Sequence, residues 1–281
     1  MNKKEIYNIG KNKYKINEDI ITKILLNKLK ITKKELFFLE KIIPFDDIIK
    51  SFNDYNNGQP IEYIINSSEF YGLNFYVDNR VLIPRNDTEI MVDIILDTLS
   101  TKNNFSYIDV GTGSSCIPIS ILINTNKIKN TYVLDISKNA LDVSKINIEK
   151  YNLSGKIIQT QSDLLSNINY LKYKFEKNLI ISANLPYIKD NDFENMDKEV
   201  ILYEPKIALY GGEETGFELY EKLISQIQNL KIDKNIDNVI AFFEIGFYQY
   251  LYSKNYLTQK GLKFEYFKDM NNINRVIKIN L

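Results

Sequence analysis

The chain has 281 residues, 44% hydrophobic and 26% charged, which suits a globular protein with a real core and about two domains. Its 36 basic and 36 acidic residues balance, so no global field draws it onto nucleic acid or anionic lipid. It has no His and one Cys, Cys116, which excludes Ser-His-Asp triads, His general bases, His-ligated metals, Cys-cluster zinc sites and an internal disulfide. No run approaches the roughly 18 apolar residues of a membrane helix. Glu5, Glu18 and Asp19 stand where a secretory leader would be apolar. The free thiol suits a reducing compartment, and together these features predict a cytoplasmic location.

Residues 1–67 predict a small helical domain. Ile20, Ile21, Ile24, Leu25 and Leu29 mark one face at 3.6-residue spacing. Leu36, Phe37, Leu39, Glu40 and Ile43 continue with a second helix that ends near Pro44. Asn57-Gly58-Gln59-Pro60 is a turn cluster. Residues 68–84 predict a β-hairpin linker. Phe70 to Val77 alternates imperfectly, Asp78-Asn79 turns, Arg80-Val81-Leu82-Ile83 returns, and Pro84 closes it.

Residues 85–281 predict a catalytic α/β domain. Asn86 and Glu89 stand at capping-box spacing ahead of the apolar face Ile90, Ile94, Ile95 and Leu99. Strands are then expected at 106–110, 131–136, 156–160, 179–183 and 239–245, with helices near 115–124, 139–151 and 216–230. Leu262–Phe267 and Arg275–Ile279 are joined by a loop too short for a parallel crossover, so they form an antiparallel pair. The expected fold is a doubly wound α/β sheet ending in that pair, behind the helical domain.

Three segments carry chemistry. Asp109-Val110-Gly111-Thr112-Gly113-Ser114-Ser115 follows the first strand, where glycines let the backbone approach a ligand and the next helix offers free N–H groups. A tight turn without a ligand is the plainer reading of that motif alone. The third glycine of a dinucleotide fingerprint is absent, and no P-loop lysine follows. Asp135 ends the second strand, 24 residues beyond Gly111, where a carboxylate can accept both hydroxyls of a ribose diol. Its plainer reading is a helix cap. Asp163, after the third strand, extends the same rim. Asn184-Leu185-Pro186-Tyr187 follows the fourth strand. The Asn184 side-chain oxygen and the Leu185 carbonyl can accept from one planar –NH2 group. Pro186 fixes the backbone and removes a competing donor. Tyr187 offers a ring to stack on that group, with a face that suits a cation. A proline turn with a core tyrosine is the alternative, but a sheet already carrying a nucleoside-type site favours the amide-binding loop.

Together these residues resemble a class I S-adenosylmethionine-dependent methyltransferase acting on a planar nitrogen. Further segments narrow the resemblance: Gln59 to Ile64, Phe70 to Phe75, Val81 to Glu89, Glu204 to Leu209, Phe243 to Gly246 with Gln249, Lys268-Asp269 and Asn274 to Val276. They are similar to the HemK/PrmC family, glutamine-N5 methyltransferases of peptide chain release factors, over residues 59–281. The resemblance implies that Gly111, Thr112, Gly113, Ser114 and Ser115 line the methionine and ribose of S-adenosylmethionine. It implies that Asp135 takes the ribose hydroxyls, that Leu164 flanks the adenine, and that Asn184 also touches the cofactor. Asn184, Leu185, Pro186 and Tyr187 would hold the substrate amide, with Asn184, Pro186 and Tyr187 catalytic. The helical domain would dock the release factor, with no metal, membrane or direct nucleic-acid contact.

Two positions depart from the family pattern, Ser115 where glycine is usual and Leu185 where proline is usual. Ser115 is expected to add a Cβ near the cofactor, and Leu185 to keep its carbonyl while loosening the backbone. The alternative enzyme is an adenine-N6 methyltransferase of RNA or DNA, against which stand the zero net charge and an accessory domain that precedes the catalytic one. A binding protein that has lost the cofactor through Ser115 is a third reading, opposed by the intact Asp135 and Asn184.

Overall fold

Short polar side chains open the first three helices. The computed structural model describes residues 1–40, 45–100, 104–168, 173–189, 192 and 196–281. In it Asn2 caps α1 (Lys3–Asn12), Asn17 caps α2 (Glu18–Leu29) and Thr32 caps α3 (Lys33–Phe37). Each accepts a first-turn backbone N–H, satisfying a donor the helix itself cannot. Glu5 and Glu35 complete capping boxes. α4 (Asp46–Asn56) and α5 (Ile61–Ile65) follow, and Ile6, Ile21, Ile24, Leu25 and Phe52 are fully buried among these helices. The second predicted helix is shorter than its pattern suggests. α3 stops at Phe37, only Leu36 of it is buried, and Phe37 and Phe38 face solvent, so the apolar run is not a packed face. The expected end at Ile43-Pro44 lies outside the described residues.

The chain forms two compact units, Met1–Ser67 with Asp197–Tyr203, and Ser68–Met196 with Glu204–Leu281. Within the first, the Tyr203 hydroxyl donates to the Asn57 carbonyl at 2.8 Å.

The second unit begins with a hairpin, placed differently from expectation. β1 (Ser68–Phe70) and β2 (Leu73–Phe75) pair across Tyr71-Gly72, both with positive φ, the backbone of a tight two-residue turn. Asp78 makes a local clasp instead, accepting the Arg80 backbone N–H at 3.1 Å and its guanidinium. Arg80 to Pro84 is therefore irregular and not a return strand. A 3₁₀ turn at Asn86–Thr88 leads into α6 (Glu89–Ser100). Asn86 does not cap it, because the Glu89 carboxylate accepts from the Tyr71 N–H at 2.7 Å and ties helix to hairpin.

Then come β3 (Phe105–Val110), α7 (Cys116–Asn124), β4 (Ile128–Asp135), α8 (Lys138–Lys150), β5 (Ile157–Gln161) and β6 (Asn178–Ala183). After these come β7 (Ile188–Lys189), α9 (Lys198–Tyr203), β8 (Tyr210–Gly212), α10 (Glu218–Asp233) and β9 (Asn238–Glu244). α11 (Tyr250–Gln259), β10 (Lys263–Lys268) and β11 (Asn274–Asn280) complete the chain. The sheet order is β10-β11-β9-β6-β3-β4-β5, with β11 antiparallel to both neighbours and the other pairs parallel. β3 is buried throughout because both sheet faces are covered. Ile108 and Val110 pack in one cluster with Leu223 and Ile227 of α10. Phe105 and Tyr107 pack in the other with Ile95 of α6 and Ile119 of α7. β4 lies on one side of β3 and β6 on the other, so the strand order reverses there and opens a crevice at the carboxyl edge.

Asn147 of α8 ties together two segments bordering that crevice. Fully buried, it accepts from the Tyr76 N–H at 2.7 Å and donates to the carbonyls of Tyr76 at 2.9 Å and Ser114 at 3.0 Å. Truncation would leave the part-buried Tyr76 donor and the buried Ser114 carbonyl unpaired, so Asn147→Ala should lower the unfolding free energy by about 2–4 kcal/mol. Urea denaturation checks this, and a loss under about 1 kcal/mol would contradict it.

Candidate functional site

At the crevice lies a cavity of about 290 Å³. The glycine turn forms one wall. Gly111, with φ 72°, directly follows β3, and a Cβ there would stand 2.9 Å from Leu185 Cδ2, so both backbone and packing favour glycine. Gly113, at φ 52°, has nothing within 4 Å of where a Cβ would stand. Gly111, Thr112, Gly113 and Ser114 border the cavity, whereas Ser115 does not. Ser115 is fully buried at φ 61°, and its hydroxyl bonds Thr112 at 3.0 Å and Ser144. The expected extra Cβ beside the cofactor is thus directed into the protein, and those two hydroxyl bonds offset the left-handed backbone.

Asp135 borders the cavity at the end of β4. One carboxylate oxygen accepts from Gly113 N and the other from Ser137 N, each at 2.9 Å. Burial raises its pKa, and those two bonds oppose the rise. Capping of α8 falls to Ser137, which accepts from Ala140 N. Asp135 thus binds the glycine turn to the β4–α8 turn and keeps a lone pair on each oxygen for a ligand. Leu164, at φ 51°, and Asp163 complete this side, with Asp163 paired to Lys222 at 2.6 Å.

A second wall, next to the glycine turn, is Asn184, Leu185 and Pro186, directly after β6. Leu185 is not loosened. Its N–H donates to the Tyr220 hydroxyl at 2.9 Å, which itself donates to the Glu244 carbonyl. Tyr187 lies behind the wall and does not border the cavity. Glycines crowd it: a Cβ on Gly246 would sit 2.8 Å from its ring, and one on Gly216 2.2 Å from its carbonyl oxygen. Burial, with the Glu244 charge, pushes its pKa up to about 12 against the opposing charges of Arg275 and Arg85, so the phenol stays neutral. The Arg275 and Arg85 charges act on this ring, and Gly246 packs against its edge at Cδ2.

The sequence reading missed the third wall. Arg80, Val81, Leu82, Pro84, Arg85 and Thr88 all border the cavity. The signal was the irregular spacing after Asp78, which suits a strand poorly. Two buried carboxyls stand close by. Asp109 is pushed up to about 7 by burial, although the Ser182 and Thr112 hydroxyls pull it down. Glu244 is likewise pushed up to about 7 by burial, opposed by Thr88, the Arg275 charge and Asn184.

A glycine turn and an acidic strand end, on a seven-stranded sheet whose last strand is antiparallel, define a class I methyltransferase. The family model described as "Methyltransferase small domain" matches residues 86–210. The release factor glutamine methyltransferase of Mycoplasma mycoides is 35% identical, over 99% of this chain and 96% of that protein. That of Clostridium botulinum is 38% identical over 79% and 76%. The N-terminal domain of human METTL16 in complex with SAH shares the fold at 18% identity and a TM-score of 0.51, over 81% of this chain and 83% of that one. The chain belongs to the release factor glutamine methyltransferase family.

Gly216→Ala should displace the Tyr187 carbonyl and cost about 2–4 kcal/mol, whereas Gly155→Ala, which meets nothing within 4 Å, should be near neutral in the same thermal melts. Asp109 and Glu244 hold their protons more tightly folded than unfolded, since both titrate at about 7 in the fold. Stability should therefore fall as pH rises from about 5 to 8. The carboxyls held low, Asp78, Asp269 and Glu218, act only below that window. Urea unfolding at several pH values reads the slope, and Asp109→Asn should flatten it.

Proposed function

We infer that the protein transfers a methyl group from S-adenosylmethionine to the side-chain amide nitrogen, N5, of the glutamine in the Gly-Gly-Gln loop of class I peptide chain release factors. The observation that carries this reading is the Asn184-Leu185-Pro186 wall, which lines one cavity together with the glycine turn and Asp135. The name borne by the relatives favours glutamine over the adenine-N6 alternative.

The residues present fit this cofactor. The open space at Gly113 leaves room for its backbone-hugging part, Asp135 has a free lone pair on each oxygen for a ribose diol, and Leu164 offers an apolar flank for a base. When bound, the cofactor supplies an electrophilic methyl group on a sulfonium. The protein must then make a poor nucleophile reactive, because the amide lone pair is delocalised into its carbonyl. The Asn184 side-chain oxygen and the Leu185 carbonyl accept the two N–H bonds of the substrate amide and point its nitrogen along one line. Tyr220 holds the Leu185 backbone for this task through the Leu185 N–H. Pro186 adds no competing donor. Tyr187 stiffens the loop from behind, packed against Gly246. An amide nitrogen that has gained a methyl group would be acidic enough to lose its proton to solvent, so these residues need to orient the amide and not to abstract from it.

The helical unit, residues 1–67, we assign to docking the release factor, and the work to the cytoplasm, where translation ends. Among the described residues no helix is long and apolar enough to cross a membrane.

The test is transfer of labelled methyl from S-adenosylmethionine to a purified release factor, with a Gln→Ala substitution in its Gly-Gly-Gln loop as control. Label should appear on the wild-type factor and vanish from the control; label on RNA or DNA instead would overturn the reading. Asn184→Ala should lower turnover by about 100-fold or more with a smaller loss of cofactor affinity. Asp135→Ala should instead raise the cofactor Kd, and an unchanged Kd would contradict the ribose assignment.

A further inference from the structure

An asparagine amide can flip. Its oxygen and nitrogen are nearly equal in size, and only the surrounding hydrogen bonds decide which one faces a ligand. The glutamine reading needs the Asn184 oxygen in the cavity, so something must hold the nitrogen away from it.

β6 and β9 pair in parallel, with Ala183 opposite Phe243. The next residues, Asn184 and Glu244, are therefore neighbours at the carboxyl edge. The Glu244 carboxyl is buried, and its Oε2 has no hydrogen-bond partner. It does not border the cavity, whereas Thr88 and Asn184 do. Asn184 Nδ2 lies 3.4 Å from Thr88 Oγ1, and both side chains act on the Glu244 carboxylate. If Thr88 accepts from Asn184, its own proton is free for Glu244, and the three groups form a relay.

We propose that Glu244, acting directly and through Thr88, is the positioning residue that fixes the Asn184 amide with its nitrogen turned inward and its oxygen toward the substrate. A flipped amide would set its oxygen against a buried carboxylate, a repulsion that water cannot screen there. The negative charge so far from solvent has this use. It discriminates between two amide orientations that packing alone cannot tell apart.

The groups that act on Glu244 among the described residues include Arg275 of β11, Asp87 and Thr88 of the turn before α6, Tyr187 of the loop after β6, Cys116 of α7 and Tyr220 of α10. Arg275 favours the ionised form, and burial and Asp87 oppose it. With the carboxyl near 7, the lock is engaged above neutrality and weakens as pH falls.

The proposal rests on the glutamine reading, and the experiment separates the two. Methyl transfer to the release factor is measured for wild type, Glu244→Leu, Glu244→Gln, Thr88→Val and Thr88→Ser, with cofactor Kd by calorimetry and thermal melts in parallel. Glu244→Leu and Thr88→Val should each lower kcat by about 10- to 100-fold while Kd changes less than about twofold. Glu244→Gln and Thr88→Ser, which keep an acceptor and a hydroxyl, should each recover at least about tenfold of the loss in their paired variant. Wild-type kcat should rise from pH 6 to 8, and the Glu244→Gln profile should be flat. Wild-type kcat in Thr88→Val, or a kcat loss matched by lost cofactor affinity, overturns the proposal, and the threonine variants serve if Glu244→Leu fails to fold. A wild-type enzyme that leaves the release factor unlabelled overturns the glutamine reading itself.

Discussion

The site depends on one register. β3 and β6 pair in parallel and finish level, Val110 opposite Ala183, so the next residues on the two strands, Gly111 and Asn184, are brought side by side. The glycine turn and the asparagine loop are thus set by sheet hydrogen bonds and not by flexible connections. Gly111 lets the Leu185 side chain sit where an added Cβ would come within 2.9 Å of its Cδ2 and force it to shift. Side chains reinforce the same pair: Tyr107 and Ser182 bond at 2.6 Å across it, and Ser182 donates to Asp109. A slip of one residue between these strands would turn every inward side chain outward and separate the two loops.

The polar groups beneath this edge explain why it costs stability to build. Asp109 and Glu244 are both nearly out of solvent, where the charged form of a carboxyl is disfavoured. Asp109 is wired into β6 through Ser182, and Glu244 stands at the end of β9 beside Arg275. An apolar pair would pack the strand ends with less loss, but it would offer no means of orienting a neutral amide. The substrate group carries no charge, so its recognition falls to donors and acceptors whose direction is fixed.

Much of the fold is legible in the sequence because the central strands are buried on both faces and read as apolar runs. The glycine turn, Asp135 and Asn184 were findable because each directly follows such a run. Other parts were not. α11 buries Ser253 and Leu257 while Leu251 and Tyr252 are exposed, so it carries no clear apolar stripe. The hairpin turn at Tyr71-Gly72 was hidden because tyrosine is rare at positive φ, whereas Asp78-Asn79 has better turn chemistry. Glu244 reads as the polar end of a strand, and its link to Thr88 joins residues far apart in the chain. Single-sequence patterns carry local information, and that contact is tertiary.

The Leu185 N–H bond to Tyr220 also bears on how this loop can vary between relatives. A proline at 185 has no N–H, so the hydroxyl at 220 would keep only its bond to the Glu244 carbonyl. Leucine, in contrast, creates a buried donor that must be satisfied, and the tyrosine hydroxyl does so at 2.9 Å. The two positions are therefore physically coupled. Phenylalanine at 220 is more tolerable beside proline than beside leucine, because only leucine brings a donor that the α10 hydroxyl must satisfy.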